Sequence, residues 1–292
     1  MKKVLVAGAT GYLGKFVVQE FKQRGYWVRA LARNPKKLAE AGPFLEPAVK
    51  GQVDDIFVGE VTQPKTLQGL CDGIDIVFSS IGITRQRDKV SFMDVDYQGN
   101  KNILGLALQA AVRKFIFVSI HNADRIENLA IARELFVADL ENSGLDYAVI
   151  RPTGYFSDMS EYLKMANSGR VYLIGSGRHI INPIHGADLA RVCVDAVESQ
   201  QKEIPVGGPE TFTYADIAGL AFSVLGKAPK ITRIPVGLVN LLVNMIRPFS
   251  DKYYTLASFF TAVMQNDFDA PKTGTHTLKE YYEEFASQLG VF

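Results

Sequence analysis

Cysteine is scarce: the 292 residues include two, Cys71 and Cys193, far apart in the chain. That excludes a disulfide framework and any multi-cysteine zinc site, and both thiols read as reduced core residues. The four histidines, at 121, 179, 185 and 276, share no metal-ligand spacing, so no metal site is expected. Neither sign of charge dominates. With 32 Lys and Arg against 31 Asp and Glu the net charge is +1, which removes the electrostatic case for nucleic acid as a main partner. Long apolar runs are also missing. The longest, Val236 to Ile246, is broken by Asn240 and Asn244 and falls short of the ~18 residues a spanning helix needs. The apolar Val4-Leu5-Val6-Ala7 after Met1-Lys2-Lys3 is too short for a secretory leader and runs into glycine, so it reads as a first strand. The expectation is a soluble protein of the cytoplasm or another reducing compartment, with no transmembrane span. A peripheral contact with a membrane or a protein complex is left open.

What is present is an ordinary globular composition, 47% hydrophobic and 22% charged. At about 150 residues per domain the length allows one large or two modest domains. Over the first half, short apolar runs alternate with helical patterns. Strands are expected at Lys3–Ala7, Trp27–Arg33, Ile56–Val58, Ile74–Ser80, Lys114–Ile120 and Tyr147–Ile150. Helices are expected at Leu13–Arg24, Tyr97–Val112 and Leu129–Asn142, the last stopping at Ser143-Gly144. Strands separated by helices imply βαβ units, and right-handed crossovers then give a doubly wound parallel sheet.

After Pro152 the rhythm breaks, and glycines, prolines and aromatics punctuate short segments. A helix is expected at Thr213–Leu225, and one or two more at Ile234–Met264, interrupted at Pro248. The reading is an α/β protein with a domain over residues 1–152 and a smaller, mostly helical substrate or cap region over 153–292 that partly completes the sheet. The apolar stretch from Leu238 to Phe268, which includes Leu241, Leu242, Met245 and Phe249, reads as core of that region, or as a greasy substrate entrance or a membrane-surface contact.

The sharpest signal is Gly8-Ala9-Thr10-Gly11-Tyr12-Leu13-Gly14, three glycines between the first strand and the first helix. Gly8 permits the tight turn, Gly11 admits a pyrophosphate close to the backbone, and Gly14 lets the helix pack against the sheet. The N–H groups that open the helix then face the phosphates. This is the context that identifies a dinucleotide-binding Rossmann loop, with Gly8, Thr10, Gly11, Tyr12, Leu13 and Gly14 as cofactor contacts. An NAD site ordinarily carries an acid at the end of strand two, on the ribose 2′-hydroxyl. Here Arg33 stands there, followed by Lys36 and Lys37. A guanidinium forks onto a 2′-phosphate, so the expected cofactor is NADP(H). Glu60 and Val61, after strand three, are expected beside the adenine, and Ser80 and Ile81, after strand four, beside the nicotinamide ribose.

These residues resemble the short-chain dehydrogenase/reductase superfamily, in its atypical, NmrA-like branch. The likeness rests on the glycine loop, Ala32-Arg33-Asn34-Pro35, Gly59-Glu60-Val61-Thr62, Phe117-Val118-Ser119, Ser143-Gly144-Leu145-Asp146-Tyr147 and Ile150-Arg151-Pro152-Thr153. It continues through Asn182-Pro183-Ile184-His185-Gly186-Ala187-Asp188 and Pro205-Val206-Gly207-Gly208-Pro209. With Gly274-Thr275-His276-Thr277-Leu278 the chain is also similar to the divinyl chlorophyllide 8-vinyl reductases. The resemblance implies NADPH binding and hydride transfer. It places Ser119 at the family's catalytic serine and Arg133 at the lysine that holds the ribose hydroxyls. The tyrosine position falls on Leu129, so the usual phenol is missing and carbonyl reduction through that relay is in doubt. Reduction of a polarised C=C needs less, because the substrate itself stabilises the carbanion. Asp188 is expected to cap a helix. His121, after strand five, is a candidate general acid or a plain surface histidine.

Two functions follow. One is an NADPH-dependent reductase of a small apolar, conjugated or carbonyl substrate, with Ser119, Arg133 and His121 as candidate catalytic residues. The other is a non-catalytic NADP(H)-binding redox sensor or complex-assembly factor.

Overall fold

In the computed structural model the described residues are 1–83, 90–126, 129–246, 254, 258 and 261–290. Pro248, Phe249 and several neighbours of the apolar stretch therefore lie outside them. By contacts the chain forms two compact units. The first comprises Met1–Ile120, Ala130–Arg151 and Leu189–Ile204, and the second comprises His121–Leu129, Pro152–Asp188 and Pro205–Phe292.

The first unit carries strands β1 (Lys3–Ala7), β2 (Trp27–Ala32), β3 (Asp55–Val58), β4 (Ile76–Ser79), β5 (Lys114–Val118) and β6 (Asp146–Pro152). With β9 (Glu203–Val206) they form one seven-stranded sheet in the order β3-β2-β1-β4-β5-β6-β9. The pairings from β3 through to β6 are all parallel. The order reverses between β1 and β4, and such a reversal opens a crevice at the carboxyl ends of the strands. This is the doubly wound Rossmann sheet that the alternation of strand and helix implies.

Strands buried on both faces read as unbroken apolar runs. In β1, Leu5 and Ala7 join a cluster with Ile103, Leu104 and Ala107 of helix α2 (Asn100–Gln109) and with Phe136, Val137 and Leu140 of α3 (Leu129–Glu141). Phe136 meets Phe117 at 4.7 Å and Phe115 at 5.7 Å between ring centroids. Successive side chains point to opposite faces, so Phe78, next to Val77 of that cluster, turns the other way. It meets Phe21 of helix α1 (Tyr12–Gln23), 6.5 Å away. Each helix is thus seated by residues of one strand parity.

One expected element is different. The helix expected from Tyr97 opens as a π turn over Met93–Gly99 before α2 begins at Asn100. The wide turn brings two buried polar residues to one side, and Asn100 Nδ2 donates to the carbonyl of Asp96 at 2.7 Å. Periodicity did not show this, because Asp96 and Asn100 are polar and look like surface residues.

The second unit holds helices α4 (Phe156–Asn167), α6 (Tyr214–Val224) and α8 (Leu278–Gln288), which pack on one another. Tyr282 is fully buried and its hydroxyl donates to the carbonyl of Met159 at 2.7 Å. Thr213 and Thr277 open α6 and α8 with capping boxes to Asp216 and Glu280. Two small sheets complete the unit. One pairs β8 (Ile180–Ile181) with β10 (Phe212–Thr213), and the other pairs β7 (Val171–Ile174) with β11 (Ile231–Ile234). Helix α5 (Gly186–Asp195) precedes β9, and α7 (Val236–Ile246) follows β11. Among the described residues, no helix is long and apolar enough to cross a membrane.

Candidate functional site

At the carboxyl end of β1 the chain turns through Gly8, whose φ of +93° is open to glycine and strained for other residues. A Cβ there would stand 2.7 Å from Ser80 Oγ, so the end of β4 closes on the loop. Gly11 N–H donates to the Gly8 carbonyl at 2.9 Å and fixes the turn. At Gly14 a Cβ would lie 2.0 Å from the Gly8 carbonyl oxygen, so helix and loop are in backbone contact. Gly11 differs. A Cβ there meets only the Gly8 oxygen, at 3.3 Å, and points into otherwise open space.

Gly11 is also the N-cap of α1. It supplies no side-chain bond to the helix, and the first turn holds no acidic residue. A helix end left uncapped, without a carboxylate, beside a glycine surface suits an anion. The cradle therefore fits a dinucleotide pyrophosphate on its own geometry.

Arg33 follows β2, and its guanidinium lies 3.3 Å from the Glu60 carboxylate. The structure thus joins two residues that the sequence suggested separately, one for the 2′-phosphate and one for the adenine. The pair is exposed, with Arg33 at 61%, so it contributes little to stability. Asn34 accepts from Lys36 N–H at 3.1 Å and caps the turn that presents Lys36 and Lys37 to solvent. Val61 is buried beside Gly99, where a Cβ would come within 2.8 Å of Val61 Cγ2. Ser80 and Ile81 are half-buried after β4. Asn100 anchors that segment, taking the Ser79 hydroxyl at 2.5 Å and donating to the Ile81 carbonyl at 3.2 Å.

The candidate catalytic residues of this unit are deeply engaged. Arg133 is buried and its Nε lies 2.9 Å from Oδ1 of Asp96, which has no exposure at all. The other Asp96 oxygen accepts Ile83 N–H at 3.1 Å. Burial pushes the Asp96 carboxyl above the usual carboxylate range, against the pull of Arg133 and the Ile83 N–H. Arg133 lies over Gly82, where a Cβ would stand 2.3 Å from a guanidinium nitrogen. The guanidinium is therefore spent on an internal ion pair. The ribose role implied by the resemblance would require it to serve both.

Ser119 is buried and donates its hydroxyl to Glu134 Oε1 at 2.7 Å. Arg151 grips the same carboxylate with two nitrogens, at 2.7 and 2.9 Å, and reaches Glu203 as well. These residues tie the ends of β5, β6 and β9 to α3. Asp96 and Glu134 carried no motif signal, and Arg151 stood in the Ile150–Thr153 motif without a role, so only their convergence singles them out.

His121 belongs to the second unit. Its Nε2 lies 3.1 Å from the Asp269 carbonyl, so the ring helps to hold the 267–269 segment, together with Arg125 on the Asp267 carbonyl at 3.1 Å. Asp188 lies in the first turn of α5 and also reaches another segment. It accepts Thr275 and His276 N–H at 3.0 and 3.1 Å, and lies 2.9 Å from His276 Nδ1. The reason is Gly274, which has no side chain and lets that turn close over a fully buried carboxylate. Among the described residues, no group of three or more His, Cys, Asp or Glu is placed to hold a metal.

A family model described as NAD(P)H-binding matches residues 8–200. Divinyl chlorophyllide a 8-vinyl-reductase of Arabidopsis thaliana is 26% identical over 260 residues, 83% of this chain and 62% of the reductase. The chain thus spans less than two thirds of that relative. Photosystem II assembly factor Ycf39 of Cyanophora paradoxa is 26% identical over 306 residues, 98% of this chain and 92% of the factor. Among solved structures, the NADPH-dependent quinone oxidoreductase of Escherichia coli, complexed with NADPH, superposes with a TM-score of 0.73 at 17% identity. That match covers 97% of this chain and 99% of the oxidoreductase and shares the fold.

Proposed function

The chain belongs to the NAD(P)H-binding family, and from that premise we propose that it is an NADPH-dependent reductase of an apolar, conjugated substrate. The observation that carries the reading is the pairing of an intact anion cradle at Gly8–Gly14 with a serine and an arginine both engaged elsewhere. Ser119 is turned to Glu134 at 2.7 Å and Arg133 to Asp96 at 2.9 Å. The cradle suits a dinucleotide, and neither Ser119 nor Arg133 is poised as an acid for a carbonyl oxygen. That combination suits a polarised C=C better than a C=O, because the substrate carries the developing charge and water delivers the proton.

In this reading the α1 N-terminus and Gly11 hold the pyrophosphate, and Arg33 takes the 2′-phosphate. Bound NADPH supplies the hydride. Asn100 and the Arg133–Asp96 pair keep the Ser80–Gly82 segment in place beside the ribose, which makes them positioning residues.

Cofactor choice tests the Arg33 assignment. Arg33→Ala should lower NADPH affinity by roughly 10- to 100-fold, the loss of one charge-assisted contact, and leave NADH binding unchanged. Glu60→Gln removes the carboxylate that competes for Arg33 and should tighten NADPH several-fold (on the order of the 0.2–1 kcal/mol of an exposed pair). Fluorescence titration with both cofactors reads this directly. Equal losses for NADPH and NADH in Arg33→Ala would remove the 2′-phosphate role.

A second reading is a non-catalytic NADP(H)-binding sensor or assembly factor. It is favoured by the engaged Ser119 and Arg133 and by the near full-length likeness to a protein named as an assembly factor. One experiment separates the two. The purified protein is incubated with NADPH and a fractionated metabolite extract, with Gly11→Asp as the variant that repels pyrophosphate. Oxidation that depends on extract and is lost in Gly11→Asp supports the reductase. Tight NADPH binding with no oxidation in any fraction supports the sensor.

A further inference from the structure

Helix α7, Val236–Ile246, has an unusual surface. Its sequence, Val-Gly-Leu-Val-Asn-Leu-Leu-Val-Asn-Met-Ile, contains no charged residue and no aromatic. Leu238, Leu241, Leu242 and Met245 are 49%, 59%, 51% and 61% exposed. Their spacing, i, i+3, i+4 and i+7, puts them on one stripe of a helix. At 3.6 residues per turn, Val236, Val239 and Val243 fall on the far side. Val243 is buried, and the other two are half-buried. The valines seat the helix on its own unit, where Val236 approaches Gly175, and the leucines face outward.

The chain that leads into this stripe is one-sided in charge. From Ile217 through Ile246 the chain contains no Asp or Glu, while Lys227, Lys230 and Arg233 lead into the helix. All three are exposed, and Arg233 stands three residues before the first residue of α7. Strand β11, which carries Arg233, pairs with β7, whose preceding residue Arg170 is also exposed. From Tyr162 to Ala187, the stretch that contains β7, there is again no acid.

We propose that α7 and its basic approach form a docking surface for an anionic lipid bilayer, with the Leu238–Met245 stripe in the acyl boundary and Lys230 and Arg233 among the headgroups. A stripe of flexible aliphatic side chains without aromatics fits hydrocarbon better than a protein partner, whose interfaces centre on Tyr, Trp and Arg. The missing carboxylates remove the repulsion that anionic headgroups would meet. Eleven residues make a helix of about 16 Å, half the ~30 Å of a hydrocarbon core, so it lies along the surface and does not cross it.

The test is co-sedimentation of the full chain with phosphatidylcholine vesicles, with and without phosphatidylglycerol, at low and high salt. The wild type should pellet with the anionic vesicles at low salt and be released as salt rises. Leu241→Glu/Met245→Glu should lower partitioning by about 10- to 100-fold, as two buried aliphatics are lost. Lys230→Glu/Arg233→Glu should remove the preference for phosphatidylglycerol. Unchanged thermal unfolding and NADPH binding in both variants would confirm that they remain folded. The proposal fails if the wild type pellets with neither vesicle, or if the leucine and methionine changes leave partitioning intact. It fails also if sedimentation velocity finds a wild-type dimer that Leu241→Glu/Met245→Glu dissociates, because the face then belongs to a second copy.

Discussion

Arg133→Ala is expected to lower the unfolding free energy by about 3–5 kcal/mol, the usual cost of leaving one member of a buried ion pair without its partner. The partner, Asp96, has no exposed surface, and its second oxygen accepts the Ile83 N–H at 3.1 Å. Without the guanidinium the carboxylate must either take a proton or draw water into the crevice. Chemical denaturation measures the loss. A double variant, Asp96→Leu with Arg133→Met, removes both charges and keeps apolar volume, so it should recover most of the stability. If the single and double variants are equally unstable, the pair contributes packing and not charge compensation. Cofactor affinity adds a second readout. Gly82 touches Arg133, so the single variant loosens the Ser80–Gly82 segment and should weaken NADPH binding even where the protein is folded.

Gly14→Ala should cost NADPH affinity about two orders of magnitude, whereas Gly11→Ala should leave thermal stability almost unchanged. The two glycines do different work. The Gly14 Cβ would overlap the Gly8 carbonyl oxygen at 2.0 Å and its carbon at 2.6 Å, both backbone atoms that cannot turn aside. Helix α1 must shift away from β1, and a displacement of about 1 Å at a binding site costs on the order of 100-fold. Overpacking itself adds about 1–3 kcal/mol of instability. At Gly11 the nearest atom is the Gly8 carbonyl oxygen at 3.3 Å, a tight contact that a shift of a few tenths of an ångström relieves, so alanine disturbs the free protein far less than at Gly14 and chiefly obstructs what approaches from outside. Titration with NADPH, paired with thermal melts, resolves the difference. Lower affinity at full stability in Gly11→Ala marks a contact residue. Unchanged affinity would move the pyrophosphate off this glycine.

These outcomes bear on whether the protein turns over substrate. A hydroxyl that is to serve as an acid must be able to turn toward the substrate. The Ser119 hydroxyl is committed to Glu134, and Arg151 holds that carboxylate with two nitrogens. Any chemistry here draws more on positioning than on a proton relay, and the same arrangement serves a protein that only senses its cofactor.

The sequence by itself determined the sheet and the cradle. Strands buried on both faces must be apolar throughout, so Lys3–Ala7 and Lys114–Val118 were legible as runs. Three glycines between strand and helix have one common use, because each backbone approach they permit is closed to a side chain. Arg33 was legible by the absence of an acid where one usually stands. The tertiary structure alone decided what the polar residues do. Asp96 and Arg133 are 37 positions apart, and Glu134, Arg151 and Glu203 lie on three different elements, with Ser119 just past β5. Nothing local marks such residues, because a charge that will be buried and one that will be solvated look the same in a string of letters. The same holds for α7, whose leucines read as core or as a contact surface until the fold buried Val243 and left the opposite stripe in water. Periodicity says which residues share a face, but whether that face meets protein or solvent depends on chain from elsewhere that packs against it.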